Sequence, residues 1–527
     1  MKAVLPGRSV LAGLLFAVLY PAGMPGYGVP GVPFVCLVPF IAFSVTAEDP
    51  RGAARRGFLW GTAASLLLVY WIAYTVAVPG KLGWALGAVA ALLVAAYLGI
   101  YISVAALAAH RLHRRFGPAG LLVFPAAWTA LEMARSYLFT GFPWMLLGYS
   151  LSGDGLLRQA ADVAGVYGLG FLLAFSSVLL HAGMTLAADR RRAAAATCLA
   201  SFIAVPALLL GYGAVRDREL RSLPVERRFP VGIAQGGIDQ SVKWDPARQA
   251  KTLAIYAALT REARGKGADV IVWPETAAPF FFGWEPPLDR RVEAAAVEAG
   301  APLVFGAPWF DPADGGKYYN SVFLLDGRGI PLARYDKRHL VPFGEYIPMK
   351  TVLFFLRKLT HGEEDFSAGR GPALFPVKGT WAGASVCYEA VFPAVIRDSV
   401  REGAEWLINV TNDAWFGDTA APRQHLAMAR MRAVEFRRPL VRAANSGISA
   451  VVGIRGEILA ELGVGRRGTI VAPVAPCRID TFYAKTGEAF GVSCIIISAL
   501  ALLTPLRRGR DGIRTDRGTH RRARGTA

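Results

Sequence analysis

Apolar positions fall into two patterns along this chain, and the change comes near residue 214. Up to that point, and again over 487–506, apolar residues form long, nearly unbroken runs. A helix needs roughly 20 mostly apolar residues to cross the hydrocarbon core of a bilayer. Eight stretches fit that description: 8–24, 28–47, 58–78, 83–108, 119–139, 162–187, 193–213 and 487–506. The fifth carries Glu132 and Arg135 one helical turn apart. A charge pair at such a depth is either structural or faces a polar path.

Between about 228 and 476 the pattern shortens. Residues 231–235, 269–273, 303–305 and 407–411 read as strands, and 246–265, 391–402 and 422–437 as helices. The stretches 321–325 and 330–335 flank Asp326-Gly327-Arg328-Gly329, a hairpin signal. A strand ends at 385–387, and three more lie near 449–454, 457–460 and 468–473. Strands alternating with helices imply a layered α/β sandwich. The whole chain therefore reads as a polytopic membrane region of about eight helices joined to an α/β domain.

Composition agrees, with 54% hydrophobic and only 18% charged residues and a mean hydropathy of +0.36, too apolar for an ordinary soluble enzyme. Charge sets the orientation. Lys2 and Arg8 precede the first run; Arg51, Arg55 and Arg56 follow the second, Arg111, Arg114 and Arg115 the fourth, and Arg190 to Arg192 the sixth. Every second loop is basic, which places both termini in the cytoplasm and the 214–486 region outside. Arg216, Arg218, Arg221, Arg227 and Arg228 oppose this, but segments leading into long exported domains obey the charge rule poorly.

The expected domains are a seven-helix membrane region (1–214), an extracytoplasmic α/β domain (228–476), a last membrane helix (487–506) and a basic tail (507–527) whose composition suggests disorder. The first run lacks a small-x-small cleavage site and reads as an uncleaved helix. A net charge of +19 suits anionic headgroups beside basic loops better than nucleic acid. The five cysteines are too scattered for a disulfide framework, and no Cys/His spacing suggests a metal or calls for a cofactor. Cys36, Cys198 and Cys494 fall in apolar runs. In an oxidising compartment Cys387 and Cys477 have the means to pair, although a catalytic thiol must stay free.

Three polar landmarks end strand-like runs. Glu275 follows Ile271-Val272-Trp273-Pro274, where proline ends the strand and projects the carboxylate into a cleft. Lys337 follows the second hairpin strand, and Cys387 sits at a strand-to-helix turn in Ser385-Val386-Cys387-Tyr388-Glu389. Amides at such a turn are expected to favour a thiolate and bind an oxyanion. Carboxylate, ammonium and thiol make a set of base, electrostatic stabiliser and nucleophile. A Cys–His dyad with His339 or His425 is the chemical competitor.

Trp-Pro-Glu-Thr at Glu275, Tyr-Asp-Lys at Lys337 and Cys-Tyr-Glu at Cys387 resemble the Glu-Lys-Cys triad of the nitrilase, or carbon–nitrogen hydrolase, superfamily. With the apolar runs, and with Lys243-Trp244-Asp245, residues 340–346, residues 412–418 and Gly141-Phe142-Pro143-Trp144, the chain resembles its membrane-embedded branch, the apolipoprotein N-acyltransferase family. His339 and Gly236-Gly237 depart from the usual pattern without touching a triad position.

The resemblance implies a nitrilase-like αββα sandwich in a bacterial inner membrane, facing the periplasm. It also implies transfer of a fatty acyl chain from a phospholipid, for instance phosphatidylethanolamine, to the α-amine of a diacylglyceryl-cysteine apolipoprotein. Cys387 would carry the acyl group as a thioester, with Glu275 as base and Lys337 holding the oxyanion. Glu345 and Glu389 would orient Lys337, and Tyr388, Trp244 and Trp415 would line the substrate path. The aromatic runs 280–284 and 352–356 are expected to dip into lipid. The alternatives are a membrane-anchored amidase acting on a small amide and a degenerate, non-enzymatic scaffold.

Overall fold

A computed structural model describes residues 6–347 and 365–503. Lys2, the 352–356 run and the basic tail lie outside the described residues.

Helices occupy each of the eight apolar stretches. They are α1 (Pro6–Ala22), α2 (Val38–Val45), α3 (Pro50–Val69) with α4 (Trp71–Ala77), α5 (Gly83–Phe116), α6 (Phe124–Tyr137), α7 (Ala161–Ala188) and α8 (Arg192–Arg221). The last, α14 (Ala489–Leu503), follows the strand-rich half and the short helix α13 (Phe482–Thr486). Length and apolarity by themselves qualify fewer than eight as spans. Among the described residues the helical stretches Gly83–Thr140, Leu157–Ala188 and Arg192–Arg221 pass, and α3 with α4 pass as a pair bent by 58°. The helices at the first, second and last runs are shorter.

Large apolar side chains point outward from this bundle, including Leu11 and Leu14 on α1, Leu92 and Leu93 on α5, Leu208 on α8 and Leu500 on α14. A surface that apolar belongs in lipid. Small residues let the helices close up. A Cβ on Gly57 of α3 would come within 2.6 Å of Ala106 on α5, and one on Gly61 within 2.5 Å of Ile102.

Two six-stranded sheets form the second half. One runs β12-β1-β2-β3-β4-β5, built from β1 (Phe229–Gln235), β2 (Val270–Val272), β3 (Leu303–Asp311), β4 (Lys317–Leu325), β5 (Pro331–Asp336) and β12 (Gly468–Val474). The other runs β11-β10-β9-β8-β7-β6, from β6 (Leu374–Val377), β7 (Thr380–Val386), β8 (Trp406–Thr411), β9 (Leu440–Ala444), β10 (Ser449–Val452) and β11 (Ile458–Leu462). The central strands β1, β2 and β3 are parallel, as are β7, β8 and β9, and antiparallel strands flank both sets.

Strand alternation explains the layering. Val231, Ile233, Trp406, Ile408 and Val410 point between the sheets, while Ala234 and Leu407 point outward. Helices α9 (Pro246–Gly265) and α10 (Pro286–Ala299) lie outside the first sheet, and α11 (Pro393–Arg401) and α12 (Ala421–Phe436) outside the second. The result is the αββα sandwich. Strands β6 and β9 and helix α10 lie where the sequence pattern marked nothing.

Buried ions tie the halves together. Arg437, at the end of α12, donates to Asp162 of α7 at 2.7 Å and to the Gln159 side chain at 2.7 Å. Arg216 of α8 reaches the same carboxylate at 2.8 Å. Arg432 of α12 bonds the Tyr149 hydroxyl at 3.1 Å and pairs with Glu435 at 2.9 Å.

Candidate active site

The parallel strands all deliver their C-terminal ends to one edge of the sandwich, which is where open α/β sheets place ligands. Glu275 follows β2, Cys387 follows β7, Asn412 and Asp413 follow β8, and Lys243 lies in the loop after β1. Lys337 directly follows β5, and its backbone N–H continues the ladder to the Asn320 carbonyl at 2.9 Å. Its own carbonyl accepts from Gly369 at 2.8 Å.

Glu275, Lys337 and Glu345 are brought together in a buried cluster. Lys337 Nζ lies 2.9 Å from Glu345 Oε2 and 3.9 Å from Glu275 Oε1. The Asn320 amide donates to both carboxylates, at 2.8 Å to Glu275 and 2.7 Å to Glu345. One neutral amide with two N–H groups thus lets two like charges share a small volume. Glu345 also accepts from the Val341 N–H at 2.8 Å. Burial pulls the Lys337 ammonium down, but Glu345, Glu275 and Cys387 outweigh it and hold the group above its ordinary value.

Cys387 has φ of 51°, in the left-handed region where a residue with a Cβ is strained. Three polar contacts hold the turn. Its carbonyl accepts from His425 Nε2 at 3.2 Å and from Asn409 Nδ2 at 3.3 Å, and Glu389 accepts from the Val386 N–H at 2.7 Å. Glu389 also accepts from Tyr335 Oη at 2.8 Å and from the N–H groups of Arg338 and His339 at 2.7 and 3.0 Å. It therefore ties the Cys387 turn to the backbone beyond Lys337 and makes no hydrogen bond to the Lys337 ammonium.

The turn after Cys387 is a five-residue 3-10 segment, Cys387–Val391. It does not make a thiolate of the resting sulfur, contrary to the expectation from the turn amides. Burial and the nearby Glu275 push the thiol up to about 12, against the pull of Lys337. The folded site therefore favours the neutral thiol over the thiolate.

The two histidines have contacts of their own. His425 spends Nε2 on the Cys387 carbonyl, and Asp413 and Arg442 bracket its other nitrogen, each at 3.0 Å. Burial and Arg442 keep His425 below its usual value. His339 packs on Phe392 with ring centroids 3.7 Å apart.

Tyr388 faces the membrane half. It stacks on Trp144, centroids 6.4 Å apart, and donates to the Gly141 carbonyl at 3.3 Å. Trp144 lines a narrow, mostly apolar cleft with Leu68, Val69, Leu98, Trp128, Glu132 and Arg135. Glu132 accepts from the Leu147 N–H at 2.7 Å, so one of its oxygens fixes a loop.

The two tryptophans stand apart from the cluster. Trp415 is half-buried and offers its carbonyl to Thr75 of α4 at 3.0 Å. Trp244 is also half-buried, and its neighbour Lys243 is the residue that reaches the cluster, donating to the Glu275 carbonyl at 3.0 Å. The 280–284 run is mostly core: Phe280 and Phe282 are buried, Phe281 packs on Tyr318, and of its four aromatic rings Trp284 is the well-exposed one. Lipid dipping by the run as a whole is therefore wrong, since alternate rings fill the space beneath β3 and β4.

A sandwich with carboxylate, ammonium and thiol at one strand edge is the carbon–nitrogen hydrolase arrangement, and the model of that family, "Carbon-nitrogen hydrolase", matches residues 231–482. A second model, "Apolipoprotein N-acyltransferase N-terminal domain", matches residues 14–179. The chain is 38% identical over 507 residues to the apolipoprotein N-acyltransferase of Geobacter metallireducens, covering 96% of each chain. It is 33% identical over 479 residues to that of Pasteurella multocida, covering 89% of this chain and 90% of the relative. Among solved structures, an amidase from Nesterenkonia sp. aligns at 23% identity and a TM-score of 0.37, over 50% of this chain and 94% of its own. The chain belongs to the apolipoprotein N-acyltransferase family.

Proposed function

We propose that this protein moves a fatty acyl chain from a membrane phospholipid to the N-terminal α-amine of a diacylglyceryl-cysteine apolipoprotein. The supporting observation is the junction of the two halves. The residue next to the nucleophile, Tyr388, stacks on Trp144, which lines a mostly apolar cleft in the helical half. A soluble small-amide substrate has no need of that connection.

The chemistry runs in two steps. Glu275 takes the Sγ proton as Cys387 adds to the ester carbonyl carbon. Lys337 faces the oxyanion, held in place by Glu345. Collapse breaks the ester C–O bond, the departing lysophospholipid oxygen takes the proton from Glu275, and a thioester remains on Cys387. The lipoprotein amine then adds to the thioester and gives its proton to Glu275. The C–S bond breaks, and the proton returns to sulfur. A dry site favours the amine over water as second nucleophile.

Phosphatidylethanolamine is the proposed donor. The proposed setting is the bacterial inner membrane, with the 228–476 domain on the periplasmic side and both termini in the cytoplasm. Glu275, Lys337 and Cys387 are the proposed catalytic residues, with Glu345, Glu389 and Tyr388 supporting them and Trp244 and Trp415 as flanking substrate contacts.

The test is acyl transfer from phosphatidylethanolamine to a diacylglyceryl-cysteine peptide by purified protein in nanodiscs. Transfer that Cys387→Ala abolishes is expected. Hydrolysis of small amides without transfer would refute the reading. A reporter active only outside the cytoplasm, fused after residue 225, should be active; silence would invert the topology.

A further inference from the structure

Lys243 is a buried cation without a carboxylate of its own. It is 2% exposed, and its Nζ donates to the Glu275 carbonyl at 3.0 Å. Among the described residues it makes no ion pair. Fully buried lysines without a partner are rare, because removing an ammonium from water costs several kcal/mol. The charged or titratable groups that face it are Glu275 and Cys387.

Charge balance shows what it does there. Glu275 and Glu345 share the single ammonium of Lys337, which leaves one negative charge in excess beside the thiol. Asp413, which also faces Cys387, is matched by Arg442 at 2.8 Å. Glu389 is satisfied by four donors. The remaining group facing the sulfur is the Thr411 hydroxyl. An uncompensated negative charge in a dry cluster opposes removal of the thiol proton.

We infer that Lys243 is a positioning residue of this site: its hydrogen bond fixes the backbone of the base Glu275, and its charge offsets the second carboxylate so that Cys387 can surrender its proton. This rests on the Glu275–Lys337–Cys387 reading proposed above. When that proton moves, negative charge passes from the Glu275 carboxylate to sulfur, and Lys243 faces both places. The backbone role has its own evidence. Thr276, the next residue, is held at φ of 46°, and such strain persists only where neighbours over-determine it. Burial draws the Lys243 ammonium down to about 8, so the charge is present at neutral pH and is lost in the mildly alkaline range.

The test uses full-length protein in phosphatidylethanolamine nanodiscs. Cys387 alkylation by iodoacetamide is followed across neutral and alkaline pH, beside kcat and KM for acyl transfer. Lys243→Gln keeps an N–H for the Glu275 carbonyl but has no charge, whereas Lys243→Arg keeps both. The Gln variant should melt near the wild type, alkylate about tenfold more slowly at neutral pH, as a one-unit rise of the thiol implies, and lose kcat with KM nearly unchanged. The Arg variant should recover the alkylation profile. Superimposable profiles for the Gln variant and wild type would overturn the inference. If the Gln variant does not fold, Lys243→Met read against Lys243→Arg decides by the same criterion. Full transfer activity after complete alkylation of wild-type Cys387 would instead overturn the nucleophile reading, and this inference with it.

Discussion

Gly306→Ala is a sharp test of how Glu275 is held, because the substitution adds one carbon against its backbone. A Cβ at this position on β3 would lie 2.5 Å from the Thr276 nitrogen, 2.7 Å from Glu275 Cα and 2.8 Å from the Pro274 carbonyl oxygen. Ordinary contact begins near 3.4 Å, so the segment must yield by about 0.9 Å. It is not free to do so. Gly306 donates to the Pro274 carbonyl at 3.1 Å, Ala278 donates to the Gly306 carbonyl at 3.1 Å, and Lys243 grips the Glu275 carbonyl. Overpacking of this kind costs about 1–3 kcal/mol of stability. A displacement of about 1 Å at a reacting group costs roughly a hundredfold in rate. Thermal unfolding in detergent and single-turnover acyl transfer measure the two effects separately. An Ala variant with wild-type melting and wild-type rate would refute the account of how Glu275 is placed.

Other perturbations separate charge from architecture. Glu345→Gln removes the charged partner of Lys337 at 2.9 Å; such a bond is worth about 1.5–3 kcal/mol, so kcat should fall roughly ten- to a hundredfold, and an unchanged kcat would contradict the role given to Glu345. Asp162→Ala strips the buried carboxylate shared by Arg437 and Arg216. It should destabilise the protein by about 3–5 kcal/mol in thermal or denaturant unfolding, while the rate per folded molecule stays close to wild type. The Cys387 thiol, raised from 9.0 to about 12 by burial, binds its proton more tightly in the folded state. Its stabilising contribution is therefore complete below the ordinary thiol range and is lost as pH rises from about 9 towards 12. Cys387→Ala should flatten that alkaline fall in stability, and a loss as steep as the wild type's would show that another group causes it.

The strand-ending landmarks were legible because sequence and geometry coincide there. Glu275 follows β2 and Pro274, Cys387 follows β7, and Lys337 follows β5, so short apolar runs pointed at all three. Asn320 was invisible. It sits inside β4, one polar residue among many, and its importance comes from two carboxylates distant in sequence. Lys243 lies within a recognisable motif, yet nothing in its sequence context marks it above its neighbour Trp244, since only the fold brings the lysine to the Glu275 carbonyl. Strand β9 escaped because Arg442 stands in its middle, and the partners that let that arginine be buried, Asp413 and Asn409, come from β8 and the loop after it. Helix α10 had a start signal in Pro286 and Asp289 that the polar exterior of the helix obscured. The run at 280–284 looked like a membrane anchor because composition does not reveal facing, and Phe280 and Phe282 face inward.

The central claim is that Cys387 carries the acyl chain, and it can be weighed directly. Purified wild-type protein is incubated with phosphatidylethanolamine of defined acyl composition, without acceptor peptide, then digested and examined by mass spectrometry. A single acyl mass should appear on the peptide bearing Cys387, sensitive to neutral hydroxylamine as a thioester is, and should vanish when a diacylglyceryl-cysteine peptide is added. An active preparation with no adduct on Cys387, or with the chain on another residue, would contradict the account.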